Sequence, residues 1–250
     1  MNESNLQRNH FNKISDNYNY HYSDPMTQKY RHEIYYKKLF KNEDMNNKDI
    51  LDVGCGTGEL SSYLKERFPD AKIYGVDISD ENINTYNKNF TGYRLNIVEG
   101  QLKDKKFDYI IASGLLHHVY KNLDKVLKNI NGMLKSGGNF IFIDPNSSYI
   151  LEPLRKIWYK LDDTFDDKNE SALNYNSLIN LNSKLTIGFE EKQIFYFGGP
   201  GFFLINNSMV FRLNKKIKSF LFKPLLSIDK IFLFFPKFFL ASFCAIWTKR

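Results

Sequence analysis

Residues 50–61 have the sequence Ile-Leu-Asp-Val-Gly-Cys-Gly-Thr-Gly-Glu-Leu-Ser. The apolar start predicts a buried strand, the three glycines predict a sharp turn, and the residues after Gly58 begin an amphipathic helix. Glycines at such a turn let the backbone approach a ligand, because no Cβ stands in the way. Their spacing is G-x-G-x-G, tighter than the G-x-G-x-x-G of dinucleotide-binding folds. Asp52 precedes the turn and would repel a phosphate, so the turn favours a nucleoside with a positively charged, amino-acid-like tail.

The segment from Asp52 to Gly58 resembles the first motif of the class I S-adenosyl-L-methionine (SAM) dependent methyltransferases of the small-molecule type. Three later landmarks of that family follow in the expected order. Residues 73–79 predict an apolar strand that ends in an acid, Asp77. Residues 107–119 resemble the fourth strand and the segment after it, and residues 134–143 resemble a helix end, a Gly-Gly turn and the fifth strand. The resemblance covers roughly residues 11–146 and is loose beyond them.

Strands and helices are predicted to alternate from the first strand onward, which indicates a parallel sheet with right-handed crossovers. The predicted strands are 50–53, 72–76, 93–98, 107–112, 139–143, 188–197 and 240–248, and the helices of the core are 58–67, 80–89 and 121–134. The resemblance implies the fold class: α/β, with a doubly wound, seven-stranded, mostly parallel sheet and an antiparallel C-terminal strand pair.

The length of 250 residues suits one domain with an elaborated end. We expect residues 1–45 to form an N-terminal helical segment that closes over the cofactor. Residues 46–150 are expected to form the SAM-binding Rossmann-like core. Residues 151–250 are expected to complete the same domain with a substrate lid and a basic aromatic tail.

The resemblance implies SAM as the cofactor, bound at the carboxyl edge of the sheet. It implies backbone contacts from the glycine turn to the methionine part of SAM, with Asp52 orienting either the turn or the ammonium group. Asp77 is expected to hold both ribose hydroxyls; the alternative is a helix cap, which Ser79 fits better. Cys55 is expected to be a small filler of the turn, because nothing near it in the sequence would lower the thiol pKa. The expected cofactor-binding residues are Tyr18, Asp52, Gly54, Cys55, Gly56, Gly58, Asp77, Ile78, Asn96, Ile97 and Ser113.

The adenine and the sulfonium have their own candidate partners. Asn96 and Ile97 stand where relatives often carry an acid that accepts from the adenine amino group, and an Asn carbonyl accepts the same hydrogen bond. An alternative alignment puts residues 99–100 there. Tyr18 and Phe11 resemble the relatives' N-terminal segment that closes over SAM, where an aromatic face attracts a sulfonium. The alternative is simple packing of an N-terminal helix.

His117 and His118 follow the fourth strand, at the edge expected to face the cofactor and the acceptor. A histidine there is suited to take a proton from a hydroxyl acceptor, since its pKa lies near neutrality, and we expect His117 before His118. The alternative is that one histidine caps or packs while the other faces solvent, because methyl transfer often needs only alignment and a deprotonated acceptor. The predicted activity is methyl transfer to a small or lipid-like acceptor, with oxygen favoured.

The composition of the chain bears on its compartment, on metal binding and on a nucleic-acid partner. The two cysteines, Cys55 and Cys244, form no disulfide framework or zinc pattern, so we expect no metal and a reduced cytosol. The first ten residues lack the apolar stretch of a secretory signal. The net charge of +7 is concentrated in residues 201–250, which hold nine Lys or Arg and one acid. The remainder is close to neutral, so no nucleic-acid partner is expected.

Residues 201–250 also contain eleven Phe and one Trp. No uninterrupted apolar run there reaches the about 20 residues of a spanning helix. Three interpretations stay open: a substrate lid for a bulky apolar acceptor, an ordinary substrate-side part of the fold, and a peripheral contact of residues 215–240 with the inner face of the membrane. The lysines interleaved with these aromatics are Lys215, Lys216, Lys218, Lys223, Lys230 and Lys237.

Rival functions remain. A nucleic-acid amino methyltransferase would carry an Asn-Pro-Pro-aromatic type of loop after the fourth strand, where this chain has Ser-Gly-Leu-Leu at residues 113–116. A protein methyltransferase has no motif that distinguishes it. A non-catalytic SAM-binding or membrane-associated scaffold would keep the glycine turn and show no turnover.

Overall fold

The computed structural model describes residues 24–161, 171–206 and 213–250. Within them the chain forms a seven-stranded sheet with the strand order β3-β2-β1-β4-β5-β7-β6. The strands are β1 (Asp49–Val53), β2 (Lys72–Asp77), β3 (Thr91–Arg94), β4 (Phe107–Ser113), β5 (Leu134–Pro145), β6 (Phe189–Phe197) and β7 (Ser242–Lys249). Neighbours among β1 to β5 pair in parallel, and β7 lies antiparallel between β5 and β6. The predicted fold class is confirmed.

Helices cover both faces of this sheet. They are α1 (Pro25–Arg31), α2 (Lys37–Leu39), α3 (Glu59–Arg67), α4 (Asp80–Tyr86), α5 (Leu123–Met133), α6 (Glu152–Leu161), α7 (Tyr175–Lys184) and α8 (Lys215–Phe232), and a π-helical turn (His32–Tyr36) joins α1 to α2. One face is packed by α3 and α8 through residues such as Leu64 and Phe222. The other is packed by α5 and α7, with Leu127 and Leu178. Cover on both faces explains why the central strands are almost continuously apolar.

Strand β7 has a sequence suited to its place inside the sheet. Its middle is fully buried, with Cys244 and Ile246 facing one core and Phe243 and Trp247 facing the other. This alternation follows from the two-residue period of a strand. Nε1 of Trp247 donates a hydrogen bond to the Tyr175 hydroxyl at 2.8 Å, which satisfies the polar atom of the buried indole.

Two predicted elements near the candidate site differ in extent. The strand predicted at 93–98 is β3, which ends at Arg94. Past it, Oδ1 of Asn96 accepts a hydrogen bond from the backbone N–H of Val98 at 3.0 Å. Such a local turn competes with ladder pairing and ends the strand early. The helix predicted over 80–89 ends at Tyr86.

A buried carboxylate holds α8 against the rest of the domain. Asp229 accepts hydrogen bonds from the backbone N–H groups of Gly201 and Phe202, both at 2.9 Å, and from the hydroxyl of Tyr30. Burial raises the pKa of Asp229, and these donors oppose the shift. The inner face of α8 is therefore fixed by specific polar contacts as well as by apolar packing.

Lys218 differs from the other lysines predicted at a membrane contact. Its side chain is buried and donates hydrogen bonds to Asp24 and, at 2.6 Å, to Oγ1 of Thr27. Lys218 therefore joins α8 to the start of α1, and its inclusion among the membrane-facing lysines was wrong. No helix in the described part of the chain is both long and apolar enough to cross a membrane.

Candidate cofactor and acceptor site

The glycine turn after β1 adopts a backbone conformation that glycine takes most easily. Gly54, Gly56 and Gly58 have φ angles of 72°, 51° and 96°, all in the left-handed region. A Cβ on Gly54 or Gly58 would come within 3.1 Å of Leu115 or Tyr86, respectively. A Cβ on Gly56 would meet no described atom within 4 Å, so Gly56 borders open space. The turn leaves room for a ligand against its backbone.

Asp77 ties this turn to the end of β2. Its Oδ2 accepts from the N–H of Gly56 at 3.0 Å, and its Oδ1 accepts from the N–H of Ser79 at 2.8 Å. Burial raises the pKa of Asp77, while the backbone donors oppose the shift. Ser79 caps α4 by accepting from the N–H of Asn82 at 3.2 Å, as the sequence predicted. Asp77 therefore stands at the carboxyl edge of the sheet, where open α/β sheets bind ligands.

Asp52 lies beneath the turn and is only 2% exposed. Its Oδ2 accepts from the hydroxyl of Ser61 at 2.8 Å, and Oγ of Ser61 is also 2.8 Å from the hydroxyl oxygen of Tyr86. Burial raises the pKa of Asp52 from an ordinary 3.8 to about 7; the Ser61 hydrogen bond opposes the shift, and the charges of Glu59 and Asp77 add to it. Asp52 therefore links the end of β1 to α3 through Ser61, and both roles predicted for it, orienting the turn and binding the ammonium group, stay predictions.

Cys55 and Ile78, near the turn, and Tyr18, in the N-terminal segment, were also predicted to bind the cofactor. Cys55 is buried against Ile83, and burial raises the pKa of its thiol, which agrees with the predicted filler. Ile78 is half-buried directly after Asp77. Tyr18, together with Phe11, lies outside the described residues.

The predicted adenine partners lie in the turn that follows β3. Asn96 is half-buried, and its Oδ1 already accepts from the backbone N–H of Val98. Ile97 is buried in the core, and its carbonyl accepts from the side-chain amide of Asn129 at 2.7 Å. An adenine amino group would thus share Oδ1 of Asn96 with the backbone, which a carbonyl with two lone pairs permits.

The segment after β4 lies beside the glycine turn. The register pairs Val53 of β1 with Ala112 of β4, and Ser113 of β4 with Ile143 of β5. Ser113 is half-buried at this edge, and Leu115 packs against the turn. The carboxyl ends of four parallel strands therefore meet at one edge of the sheet, as parallel pairing requires.

At that edge His117 forms a pair with Asp144. Nδ1 of His117 is 2.8 Å from Oδ1 of Asp144, and the backbone N–H of His117 donates to the same oxygen at 3.1 Å. Burial raises the pKa of Asp144, and its contact with His117 opposes the shift. Oδ2 of Asp144 is buried without a hydrogen-bond partner among the described residues. The ring of His118 lies 3.9 Å from that of His117, centroid to centroid.

The sequence interpretation missed Asp144, although a signal was present. Asp144 follows the apolar run 140–143, just as Asp77 follows the apolar part of β2. Both acids therefore lie at the carboxyl ends of parallel strands and at the same edge. With Asp52, three buried carboxylates surround the edge, and a cationic ligand would offset their desolvated negative charge. No cluster of three or more His, Cys, Asp or Glu side chains suited to a metal ion occurs in the described residues.

Comparison with known proteins gives a family match and several relatives. The model of the family described as "Methyltransferase domain" matches residues 25–183. A fatty-acid O-methyltransferase of Mycolicibacterium smegmatis is 28% identical over 147 residues, which are 53% of this chain and 53% of the relative. The match thus spans about half the length of that relative. A ribosomal RNA small subunit methyltransferase A of Mesomycoplasma hyopneumoniae is 24% identical over 225 residues, 80% of this chain and 81% of the relative.

A solved structure shows the same fold. It is that of a SAM-dependent methyltransferase, a possible histamine N-methyltransferase, from Thermotoga maritima. It superposes with a TM-score of 0.67 at 18% identity and covers 97% of this chain and 99% of the other.

Gly56→Ala should block the cofactor with little effect on the fold. The new methyl group would enter the open space beside the turn, and the left-handed φ costs about 1 kcal/mol of stability. Gly137→Ala is the matched control. Gly137 also has a left-handed φ, of 73°, and equally open surroundings, but it lies near the start of β5, at the sheet edge opposite the site. We expect similar losses in denaturant unfolding, but at least about tenfold weaker SAM binding by calorimetry for Gly56→Ala alone. Equal affinities would contradict a cofactor against Gly56.

The stability difference between the wild type and Asp52→Asn should depend on pH. The pKa of Asp52 is raised in the folded state, so the unfolded state loses this proton first as pH rises from about 4. Wild-type stability relative to Asp52→Asn should therefore fall between about pH 4 and pH 7, by up to about 4 kcal/mol, and level off above. Urea unfolding across this range measures the difference. If the difference in the free energy of unfolding stays constant or rises over this range, the pKa of the buried Asp52 carboxyl group is not raised and the account is contradicted.

Proposed function

The chain belongs to the methyltransferase domain family, and on that basis we propose that it is a SAM-dependent methyltransferase that methylates an oxygen atom of a small or lipid-like acceptor. The observation that carries the proposal is the meeting of three features at one edge of the sheet: the open glycine turn, Asp77, and the His117–Asp144 pair. The glycine turn and Asp77 suit a nucleoside, and the neighbouring His117–Asp144 pair suits an acceptor that loses a proton.

The residues of the turn fit the cofactor chemically. The backbone from Gly54 to Gly58 would contact the methionine part, and Asp52 would orient either the turn or the ammonium group. The carboxylate of Asp77 already accepts backbone hydrogen bonds from Gly56 and Ser79, and the two ribose hydroxyls would be additional donors to its oxygens. The further cofactor contacts in this proposal are those of Tyr18, Cys55, Ile78, Asn96, Ile97 and Ser113.

His117 would act on the acceptor. A hydrogen bond from Nδ1–H to Asp144 leaves Nε2 as the acceptor nitrogen of the ring, the form suited to take a hydroxyl proton. Bound SAM would supply an electrophilic methyl group for a C–O bond on the acceptor, and its sulfur would keep the electron pair of the former C–S bond. The proton passes to Nε2 of His117 and then to solvent. His118, whose ring contacts that of His117 at a tilt of 38°, would position the His117 ring.

Two observations support a small or lipid-like acceptor. Residues 217–239 carry several exposed Phe and Ile side chains, which suit an apolar acceptor. One relative, over half its length, is a fatty-acid O-methyltransferase. The near-neutral charge of the first 200 residues speaks against an RNA acceptor, since RNA binding depends on neutralising phosphates.

We also propose a cytoplasmic protein that contacts the inner membrane face peripherally through residues 215–240. Both cysteines are free and buried, which suits a reducing compartment. Exposed Phe and Lys side chains alternate in this segment, as in peripheral membrane proteins.

Release of S-adenosylhomocysteine should distinguish the acceptor classes. We expect turnover with apolar acceptors that carry a hydroxyl or a carboxylate, and none with amines or ribosomal RNA. His117→Gln should lower kcat for a hydroxyl acceptor by about 100-fold, because its proton acceptor is lost. The same variant should lower kcat for a fatty acid by less than about threefold, because a carboxylate (pKa near 4) carries no proton to remove.

His118→Gln should lower kcat for the hydroxyl acceptor by no more than about fivefold, because His118 acts only through the ring of His117. SAM affinity, measured by calorimetry, should be unchanged in both variants. Binding of SAM without turnover on any acceptor would favour the scaffold, and turnover on RNA alone would favour a nucleic-acid enzyme. Equal losses on both oxygen acceptors in His117→Gln would contradict the proton-transfer role.

A further inference from the structure

Among the described residues, the large apolar side chains that are exposed belong to two segments, 150–157 and 217–239. Phe234 is 89% exposed, Phe220 is 81% exposed, and Ile231, Leu154 and Ile157 are each more than half exposed. Single exposed apolar residues are ordinary, but a large contiguous group indicates a binding surface. We call these two segments together the apolar surface.

The two segments are physically joined. The backbone N–H of Ile150 donates to the carbonyl of Phe238 at 2.7 Å. The side-chain amide of Asn146 donates to the carbonyls of Lys237 and Leu240, at 2.9 Å and 2.8 Å. The start of the 150–157 segment is therefore hydrogen-bonded to the end of the other. The sequence interpretation placed a membrane contact in residues 215–240 alone and missed the first segment.

Helix α8 presents a separate apolar stripe to the outside. Its buried side, which includes Phe222 and Leu225, packs on the core. Ile217, Phe220 and Ile231 are exposed and share another side, because helical positions three or eleven apart lie on the same face. An apolar stripe that the core does not use is typical of a helix that lies on a lipid interface.

A basic stripe runs beside the apolar one. Lys216, Lys223 and Lys230 are exposed and follow each other two turns apart, so they form a line along α8. Asp229 is the single acid of residues 201–250, and it is buried. Every exposed charged side chain in residues 213–250 is therefore positive, and Lys230 alone of the three lysines in this line forms a described ion pair, with Glu33 at 3.2 Å. The partner that complements this surface is apolar at its centre and negative at its rim.

We propose that the apolar surface docks on an anionic lipid bilayer. The apolar side chains, led by Phe220 and Phe234, enter the boundary between headgroups and acyl chains, and the lysine line contacts the anionic headgroups. A second copy of the chain is disfavoured as the occupant, because face-to-face pairing would bring two lysine lines together. The inference rests on the peripheral membrane contact proposed above for residues 215–240, adds the 150–157 segment and the class of lipid to it, and does not depend on methyl transfer.

Docking would also give a lipid-like acceptor a short path from the bilayer to the His117–Asp144 pair. Tyr149 stacks on Phe203 at a centroid distance of 5.7 Å, next to the first segment. Asn146, which holds the two segments together, lies two residues after Asp144 at the end of β5. The bilayer-facing surface is thus linked by a few residues to the edge that carries the His117–Asp144 pair.

Co-sedimentation of the full chain with vesicles tests the proposal. We expect binding to vesicles that contain phosphatidylglycerol, weaker binding to pure phosphatidylcholine, and weakening by salt. Lys216→Gln/Lys223→Gln should weaken binding to the anionic vesicles by at least about tenfold, since each lysine near such a surface contributes about fivefold. Phe220→Ser/Phe234→Ser should weaken binding to both kinds of vesicle.

Lys88→Gln/Lys128→Gln is the matched control, with the same loss of charge at exposed positions outside residues 213–250. It should keep wild-type binding. SAM titration of the same samples reports the cofactor site separately, so a failure of docking and a failure of the proposed function give different results. Binding that ignores anionic lipid, or that both lysine pairs weaken equally, would overturn the proposal. Loss of a solution dimer in Phe220→Ser/Phe234→Ser, without vesicle binding by the wild type, would instead identify a second copy as the occupant.

Discussion

The carboxylate of Asp77 is the contact on which the cofactor edge depends. One of its oxygens accepts from Gly56 in the glycine turn, and the other accepts from Ser79 at the start of α4. A single side chain at the end of β2 therefore fixes the shape of the turn after β1 and the beginning of the next helix. Both donors are backbone N–H groups, so Asp77 holds the turn through its main chain. The space that a Cβ on Gly56 would enter stays open.

Charge explains why this edge suits SAM better than a phosphate ligand. Asp52, Asp77 and Asp144 are buried near the carboxyl ends of β1, β2 and β5, and burial raises the pKa of each. Ionising buried carboxyl groups is unfavourable unless positive charge or hydrogen-bond donors compensate. A sulfonium and an ammonium group would supply that compensation, whereas a pyrophosphate would add to the repulsion.

Local patterns predicted the turn, the strand that ends in Asp77, the cap at Ser79 and the alternation of strands and helices. These features follow from apolar runs, glycine spacing and short capping motifs, which a sequence displays directly. The pairing of Asp144 with His117 and the ion pair that buries Lys218 join residues far apart in the chain, and their distances follow only from the packed fold. The two-segment apolar surface was missed for the same reason, since a backbone hydrogen bond between Ile150 and Phe238 has no sequence signature.

The central claim is that Asp77 holds the ribose of the cofactor at this edge. A binding cycle tests it most directly: calorimetric affinities of the wild type and Asp77→Asn for S-adenosylhomocysteine and for its 2′,3′-dideoxy analogue. Asp77→Asn also disturbs the turn, but that loss is common to both ligands and cancels in the cycle. We predict a coupling of about 2 kcal/mol between the carboxylate and the ribose hydroxyls. A coupling near zero, with both ligands weakened equally, would contradict the claim.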